Sequence, residues 1–501
     1  MNNTDKNNKN KIIITILVII IFAIILGIGI FFLIKYLNSK VEEEKNRYRD
    51  FNVTADANIE TVDENNVQEE ITNEQIIDDY TQILNKSYGK IELIWVDKDN
   101  NILKTPEKPV LNEMQPVRFN RQDANFETIQ ETDSNWYDYS TKQWANAIDE
   151  NGSYFVWIPR YAYKIVYYSD KNLRNPIGYC DARGVLKINE DGTLTRVLKN
   201  NNGLKEIGNH YILHPAFSND YPSRFLNGGW DDNLSGIWVS KFEVSMEENG
   251  NNVVTDNTQI GNVTISDSIK LVSKPAVSSW RNIYISNAYY NAYNYNRERD
   301  SHLMKNSEWG AIAYLTYSKY GLNANLPKAN TSKNYFTGNS QTVSEVYNNN
   351  KDETSNGNQT GVYDLSGGSW EYVSAFVNNG TPMSVVYGKN LLENSKNNKY
   401  ITVYNNDKSD IGINKYDKKY ADANFLMNTL LRGDAVFETS NNGYGNYSWE
   451  TNTSYYVQQD VPFFVRGGDL SSGAGAGLFS YNGSSGQASV AQGYRVVLAF
   501  N

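Results

Sequence analysis

From Ile12 to Ile34 the chain runs for 23 residues without a charge. At 1.5 Å rise per residue, a helix of that length crosses a hydrocarbon core of about 30 Å. The run is longer than the apolar stretch of a cleaved signal peptide, and it continues into Lys35, Tyr36 and Leu37 rather than a small-residue cleavage site. The sequence therefore predicts an uncleaved signal anchor at 12–34, behind a cytoplasmic tail at 1–11. Lys6, Lys9 and Lys11 precede the run while Lys35, Lys40, Lys45, Arg47 and Arg49 follow it, so basic residues alone favour the reverse orientation. The Tyr- and Gly-rich body decides the assignment: a single-pass protein of the cell membrane with its C-terminal part outside. No pilin-type start precedes the apolar run.

Residues 35–90 read as a stalk. Glu43 and Arg47 pair at i,i+4 in a continuing helix over 41–50, and 52–71 are acidic and poor in large apolar residues, as in a solvated spacer. Thr72 with Gln75 forms a capping-box pattern, and Ile76, Tyr80, Ile83 and Leu84 share one helical face. From Ile91 the period changes to two. Ile91–Val96, Tyr154–Ile158 and Tyr161–Tyr168 read as strands, and Val185–Asn189 with Thr193–Leu198 read as a hairpin turning at Glu190-Asp191-Gly192. Residues 91–235 are thus a β-rich region, in keeping with 37 tyrosines in the chain.

The net charge of −10 offers no broad basic field, which argues against nucleic acid as a partner. One cysteine, Cys180, permits neither an intramolecular disulfide nor a Cys-x-x-Cys metal site. His210 and His214 flank an Ile-Leu pair with no third ligand nearby in sequence, so no metal is assigned to them. Asp97-Lys-Asp-Asn-Asn101 begins like a calcium loop but lacks Gly at the sixth place and an acid at the twelfth. Gly473-Ala-Gly-Ala-Gly477 lacks the Lys-Ser/Thr of a phosphate loop. Residues 378–419 are Asn/Lys-rich and read as an inserted surface loop.

Six segments from residue 236 onward stand in a telling order. They are Gly236-Ile-Trp-Val-Ser-Lys-Phe-Glu-Val-Ser245, Lys274-Pro-Ala-Val-Ser-Ser-Trp280, His302-Leu-Met-Lys-Asn-Ser-Glu-Trp309, Gly361-Val-Tyr-Asp-Leu-Ser-Gly-Gly-Ser-Trp-Glu-Tyr372, Phe464-Val-Arg-Gly-Gly468 and Gly493-Tyr-Arg-Val-Val497. Together they resemble the formylglycine-generating enzyme, or sulfatase-modifying-factor, family. That resemblance implies an α+β, C-type-lectin-like head over 236–501, with the β-rich region as an addition. Read from the residues themselves, Ile237, Val239 and Phe242 suit a strand, Trp309, Ile312, Ala313 and Tyr317 one helix face, and Gly367, Gly368, Gly467 and Gly468 tight turns.

Family members that oxidise a substrate cysteine carry a copper-binding cysteine pair after the Arg-Gly-Gly segment, whereas Asp469–Gln492 contains none here. The sulfoxide-synthase relatives need a histidine cluster, and this chain has 3 His. No Gly-x-Ser-x-Gly elbow is present either. An enzyme is therefore not expected, and no cofactor is assigned; calcium, which such folds often hold, is left without a ligand set. The stretch after Arg466 instead resembles the ligand surface of a non-catalytic branch, whose proteins are similar to the variable proteins of diversity-generating retroelements. Ser, Gly, Asn and Tyr are the residues of adaptable binding surfaces. The candidate contacts are Asp469, Ser471, Ser472, Ser480, Tyr481, Asn482, Ser484 and Ser485, with Trp370 as an aromatic platform and Phe479 in the core. Leu470-Ser471-Ser472 stands where relatives often have Trp-Asn-Asn. The function expected is recognition of an extracellular protein or glycan without turnover; the alternatives are a divergent enzyme of the same family and a structural component of a surface or pilus-like assembly.

Overall fold

The computed structural model describes Ile83 and residues 88–501, except 120–125, 200–203, 220–228, 257–260, 343–346, 379–381, 395–397, 406–424, 426–427, 429–431, 441–442 and 459. Glu70–Asn501 form one compact unit, while the other unit, Met1–Glu69, lies outside the described residues; the apolar run 12–34, the continuation 41–50 and the spacer 52–71 all lie outside them. Of the short amphipathic helix expected at 72–84, only Ile83 is described; it is helical and buried. Among the described residues no helix is long and apolar enough to cross a membrane. The described helices have 9 to 13 residues, against the roughly 20 a span needs. The expectation of a single-pass membrane protein is corrected on that finding.

The alternation beginning near Ile91 becomes strand β1 (Tyr88–Val96), with Ile91, Leu93 and Trp95 buried and Lys90, Glu92 and Ile94 half-buried on the other face. It belongs to an eight-stranded sheet. The order is β10 (Leu194–Lys199), β9 (Gly184–Ile188), β8 (Pro176–Asp181), β7 (Tyr161–Tyr168), β1 and β2 (Ile102–Leu103), with β12 (Tyr211–Leu213) against β7 and β11 (Glu206–Ile207) against β12. The expected hairpin is β9–β10, turned by Gly192 at φ 80°.

A seven-stranded sheet follows the order β17 (His302–Leu303), β25 (Val496–Leu498), β13 (Gly236–Ser240), β6 (Tyr154–Pro159), β5 (Asn146–Ile148), β3 (Gln115–Phe119) and β4 (Phe126–Thr128). The division drawn at 235/236 runs through this sheet, because β13 pairs with β6 from Gly236↔Pro159 to Ser240↔Phe155. A small sheet has β14 (Ser245–Glu248) between β15 (Asn251–Asn252) and β16 (Ile269–Val272). A second seven-stranded sheet runs β19 (Thr402–Tyr404), β18 (Trp370–Val377), β22 (Phe463–Gly467), β23 (Gly477–Ser484), β21 (Thr453–Tyr455) and β20 (Tyr444–Tyr447), with β24 (Gln492–Tyr494) parallel to β18. The architecture is α+β and mostly sheet.

Helices α1 (Ile285–Tyr293), α2 (Asn306–Tyr317) and α3 (Pro382–Asn394) complete it. Every residue of α2 is buried, not one face alone, so its sequence shows no polar stripe. Gly310 lets it approach neighbouring backbone: a Cβ there would lie 2.0 Å from the Gly433 carbonyl oxygen. The stretch read as a surface loop at 378–419 holds α3 and β19, with Leu391, Ile401 and Tyr404 fully buried; the Asn and Lys residues between them concealed that spacing. Residues 406–419 lie outside the described residues.

Candidate functional site

Gly467 (φ 87°) and Gly468 (φ 80°) turn the chain out of β22 into the stretch singled out as a ligand surface. Asp469 then closes a tight turn. Its Oδ1 accepts from Ser471 N (2.9 Å), Ser471 Oγ (2.7 Å) and Ser472 Oγ (2.9 Å). Ser471, Gly473 and Ala474 are exposed, and Asp469, Leu470 and Ser472 half-buried. Leu470 N donates to Gly368 O (2.9 Å), and two residues on Trp370 N donates to Ala491 O (2.9 Å), which brings this turn, the half-buried Trp370 and the exposed Val490 to one region. Arg281 joins them by donating to Val490 O (2.5 Å) and pairing with Asp256, its guanidinium 3.8 Å from the Tyr335 ring centre. Burial raises the Tyr335 phenol, Arg281 lowers it, and the charge of Asp469 raises it further. Tyr335, Arg281 and Val490 were not singled out from sequence, since they come from three distant loops with no local pattern.

The neighbouring sheet sorts the remaining candidates. The register Tyr372↔Val465↔Asn482 puts Trp370 and the half-buried Asn482 on the same face, whereas the adjacent row Glu371↔Arg466↔Tyr481 faces the opposite way. Tyr481 is consequently a core residue, fully buried, its hydroxyl 2.8 Å from Ser440 Oγ and its ring against Tyr456 and Phe464. Ser480 is fully buried on β23, and Ser484 is nearly so, held between Tyr372 OH (3.3 Å) and Gln492 Oε1 (3.3 Å). These three are withdrawn as contact positions: in a strand sandwiched by other layers, Ser and Tyr pack inward. Asp469, Ser471, Ser472, Asn482, Ser485 and Trp370 keep solvent access. Phe479 is in the core as expected.

Buried charged residues carry the strongest electrostatics. Arg495 donates to both oxygens of Glu371 (2.9 and 2.6 Å), to Ser240 O (2.8 Å) and to Tyr363 O (2.9 Å). Glu243 accepts from Ser369 N (2.7 Å) and Oγ (2.8 Å), and burial with the charges of Asp364 and Glu371 pushes its carboxyl up to about 8. His302 Nε2 lies 2.9 Å from Glu308, which also accepts from Lys305 N (2.8 Å), so His302 positions the start of α2. Burial works against the Glu308 carboxylate, but His302 and Lys305 hold its pKa below the usual value. A sequence signal for these networks existed: a lone charge within an apolar run of a folded core must be paired or neutralised.

His210 and His214 separate in the structure. His214 is fully buried, accepts from Ala216 N (3.2 Å), and is held neutral, its pKa pushed down to about 3 by burial. His210 meets Asp181 and Glu206, their donor atoms within 4.8 Å of one another. Arg196, however, already holds both Asp181 oxygens (2.8 and 2.9 Å), a cation that a metal ion would have to face. Cys180 is fully buried on β8, and burial pushes its thiol up to about 12. Thiol reagents are therefore expected to label the native chain at least about a hundredfold more slowly than the unfolded one, because the thiolate is the reactive form. Equal labelling rates in native and denaturing buffer, read by mass spectrometry, would overturn this placement.

Compared with known proteins, the chain matches no protein-family model and no curated protein.

Proposed function

We propose that this chain is a non-catalytic recognition protein, whose C-type-lectin-like head is similar to the formylglycine-generating family and presents a ligand face built from the 469–474 turn, Trp370 and Asn482. The observation that carries the reading is the turn itself. Its carboxylate and glycines are spent on holding its own backbone, while Ser471 and the small residues after it face solvent on a fixed support. Such an arrangement suits binding, since ordering costs are met before a ligand arrives.

The fold reading has support of its own. The six segments quoted for the resemblance adjoin one another: β13 and β17 both pair with β25, β18 pairs with β22 and β24, and Trp280 N donates to Val244 O (2.7 Å). Cys180, whose buried, protonated thiol is unsuited to binding copper, argues against the cysteine-oxidising chemistry of the family it resembles. The partner class is a protein or glycan.

The test applies the full chain to an immobilised glycan array and to a displayed random-peptide library, then retests the selected ligands with Ser471→Arg and Asn482→Arg. Both positions reach solvent, so unfolding temperatures should stay the same while affinity falls at least about tenfold, the loss expected when a long charged side chain intrudes on a fitted contact. Selected ligands that bind both variants as tightly as the parent would count against this face.

A further inference from the structure

A concavity that shares no lining residue with that turn lies where four separate stretches of chain meet: the end of β1, residues 104–106, residues 137–140 and the loop after α2. Its volume is about 530 Å³, within the roughly 300–1,000 Å³ range of small-ligand sites. Trp95, Tyr137, Tyr139 and Tyr320 form its aromatic walls. Trp95 and Tyr139 are buried, and Tyr137 and Tyr320 half-buried.

The open ring surface belongs to the half-buried Tyr137 and Tyr320, which are held in place by hydrogen bonds and ring contacts. Trp144 Nε1 donates to Tyr320 O (3.0 Å), and the Tyr320 ring centre lies 4.6 Å from that of Trp95. The Tyr137 hydroxyl is turned away to the carbonyl oxygens of Pro106 and Glu107. Asp138 faces its own turn, accepting from Ser140 N (3.0 Å), Ser140 Oγ (2.5 Å) and Thr141 Oγ1 (3.0 Å). The cations of the cleft are not matched by acids, although Lys319 Nζ also lies 4.9 Å from the Tyr320 ring centre. Lys104 and Lys319 both line it and are exposed, and among the described residues neither forms an ion pair. Two lysines against the single acid Asp138 in the lining leave a local positive balance in a chain of net charge −10.

We propose that this cleft binds an anionic sugar, one pyranose face lying on an aromatic wall and its carboxylate or phosphate facing Lys104 and Lys319. The ring geometry separates this from a nucleobase. A flat base is best held between parallel plates, whereas Trp95 meets Tyr320 at 46° and Tyr139 at 69°. A sugar chair needs only one apolar face for its C–H groups, with hydroxyl partners such as Ser140 and Thr105 at the side. The cleft is independent of the C-terminal face, so either assignment can fail alone.

Calorimetry with the full chain tests it using three probes: trigalacturonate, mannose 6-phosphate and neutral maltotriose. At least one anionic sugar should bind, at least about tenfold more tightly than maltotriose, and more weakly at about 0.5 M than at about 0.05 M salt because the cations are exposed. Galacturonate alone binding identifies a carboxylate, mannose 6-phosphate alone a phosphate, and both a site that reads only charge. Lys104→Glu with Lys319→Glu, both at exposed positions, should abolish the preference, and Tyr320→Ala should weaken all sugars. Ser471→Arg should leave sugar binding intact. No binding of either anionic sugar at millimolar concentration, equal binding of maltotriose, or an unchanged preference in the double lysine variant would overturn the proposal.

Discussion

Replacing Arg495 by methionine is expected to lower the stability of the chain by about 3–5 kcal/mol at neutral pH, the cost of leaving a buried ion-pair partner alone. Arg495 and Glu371 are both within 1% of full burial, and the guanidinium also serves the carbonyls of Ser240 and Tyr363. Burial already raises the Glu371 carboxyl, with Arg495 as the main opposing influence. Without that cation Glu371 must either stay charged in an apolar setting or take up a proton. The loss should therefore shrink toward pH 5, where protonation is easy. The double variant Arg495→Met, Glu371→Leu should recover part of it, because apolar replacement of a whole buried pair is often close to neutral. Urea unfolding of the three chains decides the matter; a single-variant loss under about 1 kcal/mol would contradict the burial of an isolated charge.

The second large effect is a fall in stability as pH rises from about 4 to about 8, the interval between ordinary carboxylates and the raised ones here. Burial, and then the charge of Glu438, pushes Asp434 up to about 7, and Glu243 stands at about 8. Over that interval the folded chain holds protons that the unfolded chain has released, so raising the pH favours unfolding. The stabilising share of these two groups is complete below about 4 and lost once pH passes their folded values. Glu308 has the opposite sign: its lowered pKa contributes stability that disappears as pH falls. The optimum should thus lie on the acid side of neutrality. Asp434→Asn keeps an acceptor for Val436 N and a polar partner for Tyr404 OH, and it should flatten the slope by an amount on the order of 2–4 kcal/mol. Denaturant titrations at several pH values check this; a parent chain that gains stability from pH 5 to 8, or an equal slope in the variant, would refute it.

Strands and hairpins were legible: Tyr161–Tyr168 and the hairpin around Gly192 appear where the apolar, aromatic run and the turn chemistry put them. The turn glycines were legible too, since Gly367, Gly368, Gly467 and Gly468 all adopt positive φ. The depth of β23 was not. Ser480, Tyr481 and Ser484 are residue types common on surfaces, and only the strands on either side of β23 bury them. Nor could spacing reveal the aromatic cleft, because Trp95, Tyr137 and Tyr320 come from three distant stretches brought together by tertiary packing. α3 was hidden because its buried leucines sit among Asn and Lys, which blurs helical periodicity.

The pairing of β13 with β25 also bears on how the molecule is made. Ser240 Oγ bonds the carbonyl of Val496 across 256 residues of sequence, so the middle of that sheet closes only when a very late stretch of chain arrives. Until then β13 has one open side, and the apolar edge of Ile237, Trp238 and Val239 is available to any other unpaired strand. Closure over so long a separation carries a high entropic barrier and slows assembly. During synthesis the chain thus carries a half-built sheet in need of shielding, and its yield in a cell depends on how long that edge waits.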